Sequence, residues 1–239
     1  MNLADLHAVD WRDPVIGFAL FGSRARGDED AESDYDILVW SMGSQPHTIR
    51  LGMHAMAVYP CDYLLRNAEQ GDLFASHLVH EAKEIWDPHF LLKTLRTRFS
   101  PKQSYGREIN LAAQIGTFIL KFHHRMPSVL INRRIAWVVR TILIAKAMEI
   151  GAPVFATRKL TSLLCAPEAV SLIALKDDAE FRPDGLIGLD SFLSRWAAPW
   201  NEAASTIDEF RTLFKASEND FGLQTIKSLR NITDATDYR

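Results

Sequence analysis

The chain has 239 residues, 47% of them hydrophobic and 24% charged, with a formal net charge of −3. That composition suits one large or two small globular domains, and its mild acidity excludes a global basic field for wrapping nucleic acid. Two cysteines, Cys61 and Cys165, with no Cys-x-x-Cys spacing, exclude a disulfide framework and a structural zinc site and fit a reducing cytosol. The polar, acidic opening MNLADLHAVDWRD lacks the basic-then-apolar pattern of a signal peptide. The most apolar stretch, Ile135 to Ala145, is too short to span a bilayer and carries Arg140. The expectation is a cytoplasmic protein with no membrane segment, its oligomeric state left open.

In chain order, Val15 to Phe21 (VIGFALF) is an apolar run between Asp13-Pro14 and Gly22, which predicts a buried strand. Gly22 permits a tight turn, and Ser23 is placed to cap a short helix running to Arg26. Asp28 to Ser33 reads as an acidic surface loop. Tyr35 to Trp40 reads as a second strand; the two-residue period puts Asp34 and Asp36 on one face and Ile37 and Val39 on the other. Gly52 to Tyr59 is a third strand, ended by Pro60. Helices are expected over Tyr63 to Gln70, over Leu73 to Ile85 and over Phe90 to Phe99, with a break at Ser100-Pro101. Beyond Tyr105 the periodicity is helical: Tyr105 to His124, Ile131 to Ile150, Pro167 to Leu175, Leu189 to Ala198 and Asn201 to Lys215. The fold class is α+β, a small mixed sheet domain (1–99) followed by an α-helical bundle (100–239).

The stretch FGSRARGDEDAESDYDI carries the chemistry. A strand that feeds a Gly-Ser turn and a helix start exposes backbone N–H groups that suit a phosphate. Gly22 lets a phosphate approach the backbone, and the Ser23 hydroxyl can donate to it. Asp34 and Asp36 offer hard carboxylate oxygens to Mg²⁺, which bridges phosphate oxygens and neutralises charge in phosphoryl transfer. Arg24 and Arg26 are candidate phosphate contacts, the alternative being that they face solvent.

The segment GSRARGDEDAESDYDI resembles the signature of the DNA polymerase beta superfamily of nucleotidyltransferases: Gly-Ser, about ten residues, then Asp-x-Asp. The run Arg24-Ala25-Arg26-Gly27 and the pair Ser33-Asp34 are similar to the bacterial minimal and the kanamycin-type nucleotidyltransferases. The stretch GDLFASHLVHEAKEIWD resembles the helix that ends such domains. The resemblance implies that Gly22 and Ser23 bind the triphosphate and that Asp34 and Asp36 hold Mg²⁺. It implies an NTP as co-substrate, with ATP the default.

Active relatives usually carry a third carboxylate on the following strand, to hold the cation that activates the attacking hydroxyl. The strand Met53 to Tyr59 has none, and His54 is a poor magnesium ligand. Asp62 is a candidate metal ligand if the chain curls back after Pro60. Glu108 is a candidate general base from the helical half, as kanamycin-type enzymes use a glutamate. The third reading is a site that binds nucleotide without turning it over.

In the helical half, Arg140 sits inside IAWVVRTILIA and needs a partner or a ligand. Arg133, Trp137 and Arg140 lie on one side of a helix, fit either for a triphosphate with a stacked base or for an ion pair. Lys121, His123, His124, Arg125, Arg133 and Arg134 form a basic cluster fit for an RNA end or for the helix dipole. His77 and His80, Phe155, Trp196 and Trp200 read as packing residues. The predicted function is transfer of a nucleoside monophosphate from NTP to an acceptor hydroxyl on a small molecule, a partner protein or an RNA end. The alternative is a catalytically decayed nucleotide-binding or interaction module.

Overall fold

In the computed structural model, which describes residues 3–31, 33–197 and 204–236, contacts divide the chain into two units, Met1–Gln103 and Ser104–Arg239. The first unit runs α1 (Leu3–His7), β1 (Val15–Phe21), α2 (Gly22–Arg26), β2 (Tyr35–Ser41), β3 (His47–Leu51), β4 (His54–Pro60), α3 (Cys61–Glu69), α4 (Leu73–Glu81), β5 (Lys83–Trp86) and α5 (Leu91–Arg98). The strands form one mixed sheet in the order β3-β4-β2-β1-β5, in which β2 and β4 are parallel and the other neighbours antiparallel.

Alternation gives the sheet two apolar faces, as expected for strands covered on both sides. Phe18, Ile37, Val39 and Met56 pack with Leu6 of α1 on one face. Ala19, Phe21, Leu38 and Trp40 pack under α3, α4 and α5 on the other. Leu38 and Trp40 are fully buried, each worth about 1.5–3 kcal/mol of apolar transfer. Asp36 alternates with Ile37 and so belongs to the face of Leu38 and Trp40, at the end of the sheet where α2 begins.

The second unit is helical: α6 (Gly106–Phe122), α7 (Ser128–Glu149), α8 (Thr157–Leu163), α9 (Glu168–Ala174), α10 (Pro183–Trp196), α11 (Ile207–Ala216) and α12 (Asp220–Thr236). Ile135, Val138, Val139 and Ile142 bury the apolar side of α7. Phe118 on α6 meets Phe210 and Phe214 of α11 edge-on at 5.2 and 5.9 Å. No helix among the described residues is long and apolar enough to cross a membrane. Cys61 and Cys165 are not disulfide-bonded.

Several elements differ from the sequence expectation. Strand β3 (HTIRL) is absent from it, because an exposed edge strand has little hydrophobic signal. The helix expected over Leu73 to Ile85 ends at Glu81, Ala82 turns extended, and Lys83–Trp86 pairs with β1. The open edge of β1 overrides a helical pattern there. Helices α1, α8 and α12 were not expected, and α10 starts at Pro183, a favoured first helical residue, rather than at Leu189. Helix α11 starts at Ile207, behind a Thr206–Glu209 capping box, rather than at Asn201. Residues 198 and 201–203 of the expected helices, and Trp200, lie outside the described residues.

Candidate functional site

The site begins where β1 ends. Phe21 pairs with Asp36 across the antiparallel ladder. Its ring is held edge-on by Phe74 and His77 of α4, both at 5.6 Å. The next residue, Gly22, has φ of 75° and lies against the Asp36 side chain. A Cβ there would collide with Asp36 Oδ2 and stand 3.2 Å from its Cγ. Only glycine accommodates both the backbone angle and the close carboxylate.

Ser23 does not cap α2. It lies inside the helix, which starts at Gly22 without a side-chain cap, and its carbonyl accepts the N–H of Gly27 at 2.8 Å. Arg24 Nε donates to the Ser33 carbonyl at 3.0 Å, and its guanidinium covers the Tyr35 ring at 3.9 Å. Arg24 thus closes the loop between α2 and β2. Arg26 donates to Asp28 (3.0 Å) and to Glu81 of α4 (2.7 Å). Glu81 is also paired with His77. Burial works against the Arg26 charge, but the bonds to Asp28 and Glu81 outweigh it and hold its pKa above the ordinary value. Both arginines therefore brace the turn that presents Gly22 and Ser23. His77 belongs to this bracing cluster, and His80 bonds the Ser76 carbonyl (2.7 Å) one turn back.

Asp34 and Asp36 flank Tyr35 at the start of β2. Asp34 Oδ2 accepts from Arg50 Nη1 of β3 at 2.8 Å, a residue that the sequence reading did not single out. The register places Asp36 opposite Ala55 on β4, and Ala55 opposite Arg50 on β3. One row across the sheet thus reads Asp36, Ala55, Arg50. The sequence signal that bears on Arg50 is Gly52, whose φ of 56° suits a tight hairpin between HTIRL and HAMAVY; it does not by itself reveal the Asp34 partner.

The remaining candidates belong to other elements. His54 faces away from the carboxylates and stacks on Tyr35, ring centres 5.0 Å apart. Asp62 is in the first turn of α3, beyond Pro60, which pairs with Ser41 at the far end of β2. Ala55 and Pro60 are five residues apart on one strand, about 16 Å, so Asp62 does not join Asp34 and Asp36. Glu108 sits in the first turn of α6 and Arg140 on α7, both in the second unit. Arg140 Nη2 donates to the carbonyl of Phe155 (3.2 Å), whose side chain is buried, in keeping with the expected packing role. Trp137 packs against Phe221 of α12 at 4.2 Å, and Arg134 covers the same ring at 3.7 Å. Burial lowers the Arg134 pKa to about 10. In the basic cluster, Lys121 donates to the Ala204 carbonyl and His123 stacks on Phe181, leaving His124, Arg125 and Arg133 exposed.

Among the described residues, no group of three or more His, Cys, Asp or Glu side chains is arranged to hold a metal ion. Asp34 and Asp36 are two hard-oxygen donors on one face. That donor set fits Mg²⁺, which binds through one or two carboxylates and completes its shell with water and substrate phosphates.

Residues 6–104 match the family model of the nucleotidyltransferase domain. Among solved structures, the chain is similar to a nucleotidyltransferase-like protein from Exiguobacterium sibiricum 255-15. Identity is 17%, over 80% of this chain and 72% of that one, with a TM-score of 0.32. No curated protein matches the chain.

Proposed function

We propose, from the match of residues 6–104 to the nucleotidyltransferase domain, that the protein transfers a nucleoside monophosphate from an NTP, ATP by default, to an acceptor hydroxyl. The observation that carries the reading is the apposition of the Gly22 turn with the Asp36 carboxylate, beside Asp34 on the same sheet face. Gly22 and Ser23 contact the triphosphate. Asp34 and Asp36 hold Mg²⁺, which when bound neutralises charge on the phosphate oxygens. The acceptor oxygen forms a bond to the α-phosphorus, the bond from that phosphorus to the bridging oxygen breaks, pyrophosphate leaves, and the hydroxyl proton passes to water. The helical unit selects the acceptor, a small molecule, a protein side chain or an RNA end.

A second reading is a nucleotide-binding module without turnover. Ala55, in the row where a third carboxylate would serve, favours it. The first test is thermal unfolding with each of the four NTPs, with and without Mg²⁺, for the wild type and Asp36→Asn. Nucleotide at a hundredfold its Kd stabilises the folded state by about 2.7 kcal/mol. A Mg²⁺-dependent rise that Asp36→Asn removes is expected. No rise with any nucleotide sinks both readings. Pyrophosphate release in the presence of candidate acceptors then separates turnover from binding alone.

A further inference from the structure

Arg50 brings a positive charge to the carboxylate face of the sheet. Its strand, β3, is the sheet edge beyond β4, and its guanidinium crosses the row of Ala55 to reach Asp34 Oδ2 at 2.8 Å. On the carboxylate face β4 offers Ala55 and Ala57, and β3 offers Thr48 and Arg50. Neither strand supplies a carboxylate there. Two-cation phosphoryl transfer uses one ion at the leaving side and one at the attacking oxygen. The donors present, Asp34 and Asp36, suffice for one such ion.

We propose that Arg50 takes the place of the second cation, so that the site binds one divalent ion per nucleotide and completes its positive charge with a guanidinium. The inference rests on the nucleotidyltransferase reading above. The charges are consistent with it: three carboxylates around two divalent ions leave one net positive charge, and two carboxylates, one guanidinium and one divalent ion leave the same. Ala55 stands between Arg50 and Asp36 in the row and places only a methyl group there. Arginine suits the task, since it stays charged at all working pH values and binds carboxylate or phosphate oxygens through a planar fork. The side chain is 66% exposed, and its partner 39%, so the pair can open towards an incoming phosphate at little cost.

The test counts ions. Mn²⁺ bound to the full chain is measured by electron paramagnetic resonance, in the presence of the α,β-methylene analogue of the nucleotide that raises the melting point most. The wild type is expected to bind one Mn²⁺ per chain. Arg50→Ala should keep that count and weaken the analogue by about tenfold or more, the effect of losing a charge-assisted contact. Arg50→Lys should recover part of the affinity, which a merely structural role would not predict. The double change Arg50→Ala with Ala55→Asp should raise the count to two. Arg50 is exposed, so its single variants remain readable even where the double variant fails to fold. A wild-type count of two, or unchanged affinity in Arg50→Ala, overturns the proposal and leaves the nucleotidyltransferase reading standing. Absence of any Mn²⁺-dependent nucleotide binding in the wild type overturns both.

Discussion

Two arginine–carboxylate pairs lie at opposite edges of the candidate site. Arg26 meets Glu81 at 2.7 Å, and Arg50 meets Asp34 at 2.8 Å. The bonds are nearly equal in length, but their surroundings are not. The side chains of the first pair are 19% and 8% exposed, those of the second 66% and 39%. Burial removes the water that would otherwise solvate either charge, so each member of the first pair depends on the other. In the second pair water screens the attraction and is ready to replace it. One pair therefore fixes the turn that carries Gly22, and the other is available to a ligand. Neither role can be read from bond length.

The largest expected effect follows from that contrast. Glu81→Ala leaves Arg26 and His77 half-buried without their shared carboxylate, and should cost about 3 kcal/mol in urea unfolding. A loss under about 1 kcal/mol would mean that the Arg26 cluster behaves like a surface pair, and the comparison would collapse. Gly22→Ala comes next. The left-handed backbone alone costs a non-glycine residue on the order of 1–3 kcal/mol, and the new methyl must also displace the Asp36 carboxylate. The expected result is a destabilised first unit that no longer binds nucleotide. A variant with wild-type stability and affinity would remove Gly22 from the site.

These residues also mark how far the sequence is legible. On β2 the two-residue period is imposed by the backbone, so Asp34 and Asp36 share a face and Ile37 and Val39 take the other, as the pattern predicts. Gly22 was legible because few residues other than glycine tolerate the turn. The carboxylate partners were not. Arg50 reaches Asp34 only through the β3–β4 hairpin, and Glu81 reaches Arg26 across 55 residues of chain. On α7 the failure is of another kind. The spacing of Arg133, Trp137 and Arg140 sets their relative angles, but packing decides what they face. Trp137 and Arg134 meet Phe221 of a helix the periodicity did not reveal, and Arg140 meets the carbonyl of Phe155.

Between the two extremes stands Lys146–Glu149 in the second unit, with side chains 36% and 23% exposed. Burial would raise the Glu149 pKa, but the Tyr105 N–H, Lys146 and the Ser104 hydroxyl together hold it below the ordinary 4.5. A carboxylate depressed in the folded state contributes stability above its unfolded pKa and loses it as pH falls through the folded value. Glu149→Gln should therefore cost about 1 kcal/mol at pH 7 and less at pH 3, the loss beginning to shrink as pH falls below 4.5. Equal losses at both pH values would assign the effect to packing rather than charge.

The smallest change in stability is expected where the change in binding is marked. Arg50→Ala breaks an exposed pair and should shift the unfolding free energy by less than about 1 kcal/mol, with the shift shrinking further in high salt. The same substitution should weaken the nucleotide, because the guanidinium no longer contributes to the charge that the triphosphate meets. A small loss of stability with a large loss of affinity is what separates this pair from Arg26–Glu81, where stability falls first and binding fails as a consequence. If Arg50→Ala instead unfolded the first unit as readily as Glu81→Ala, the edge strand would depend on that ion pair for its place in the sheet. Exposure would then be a poor guide to which of the two arginines is free to act.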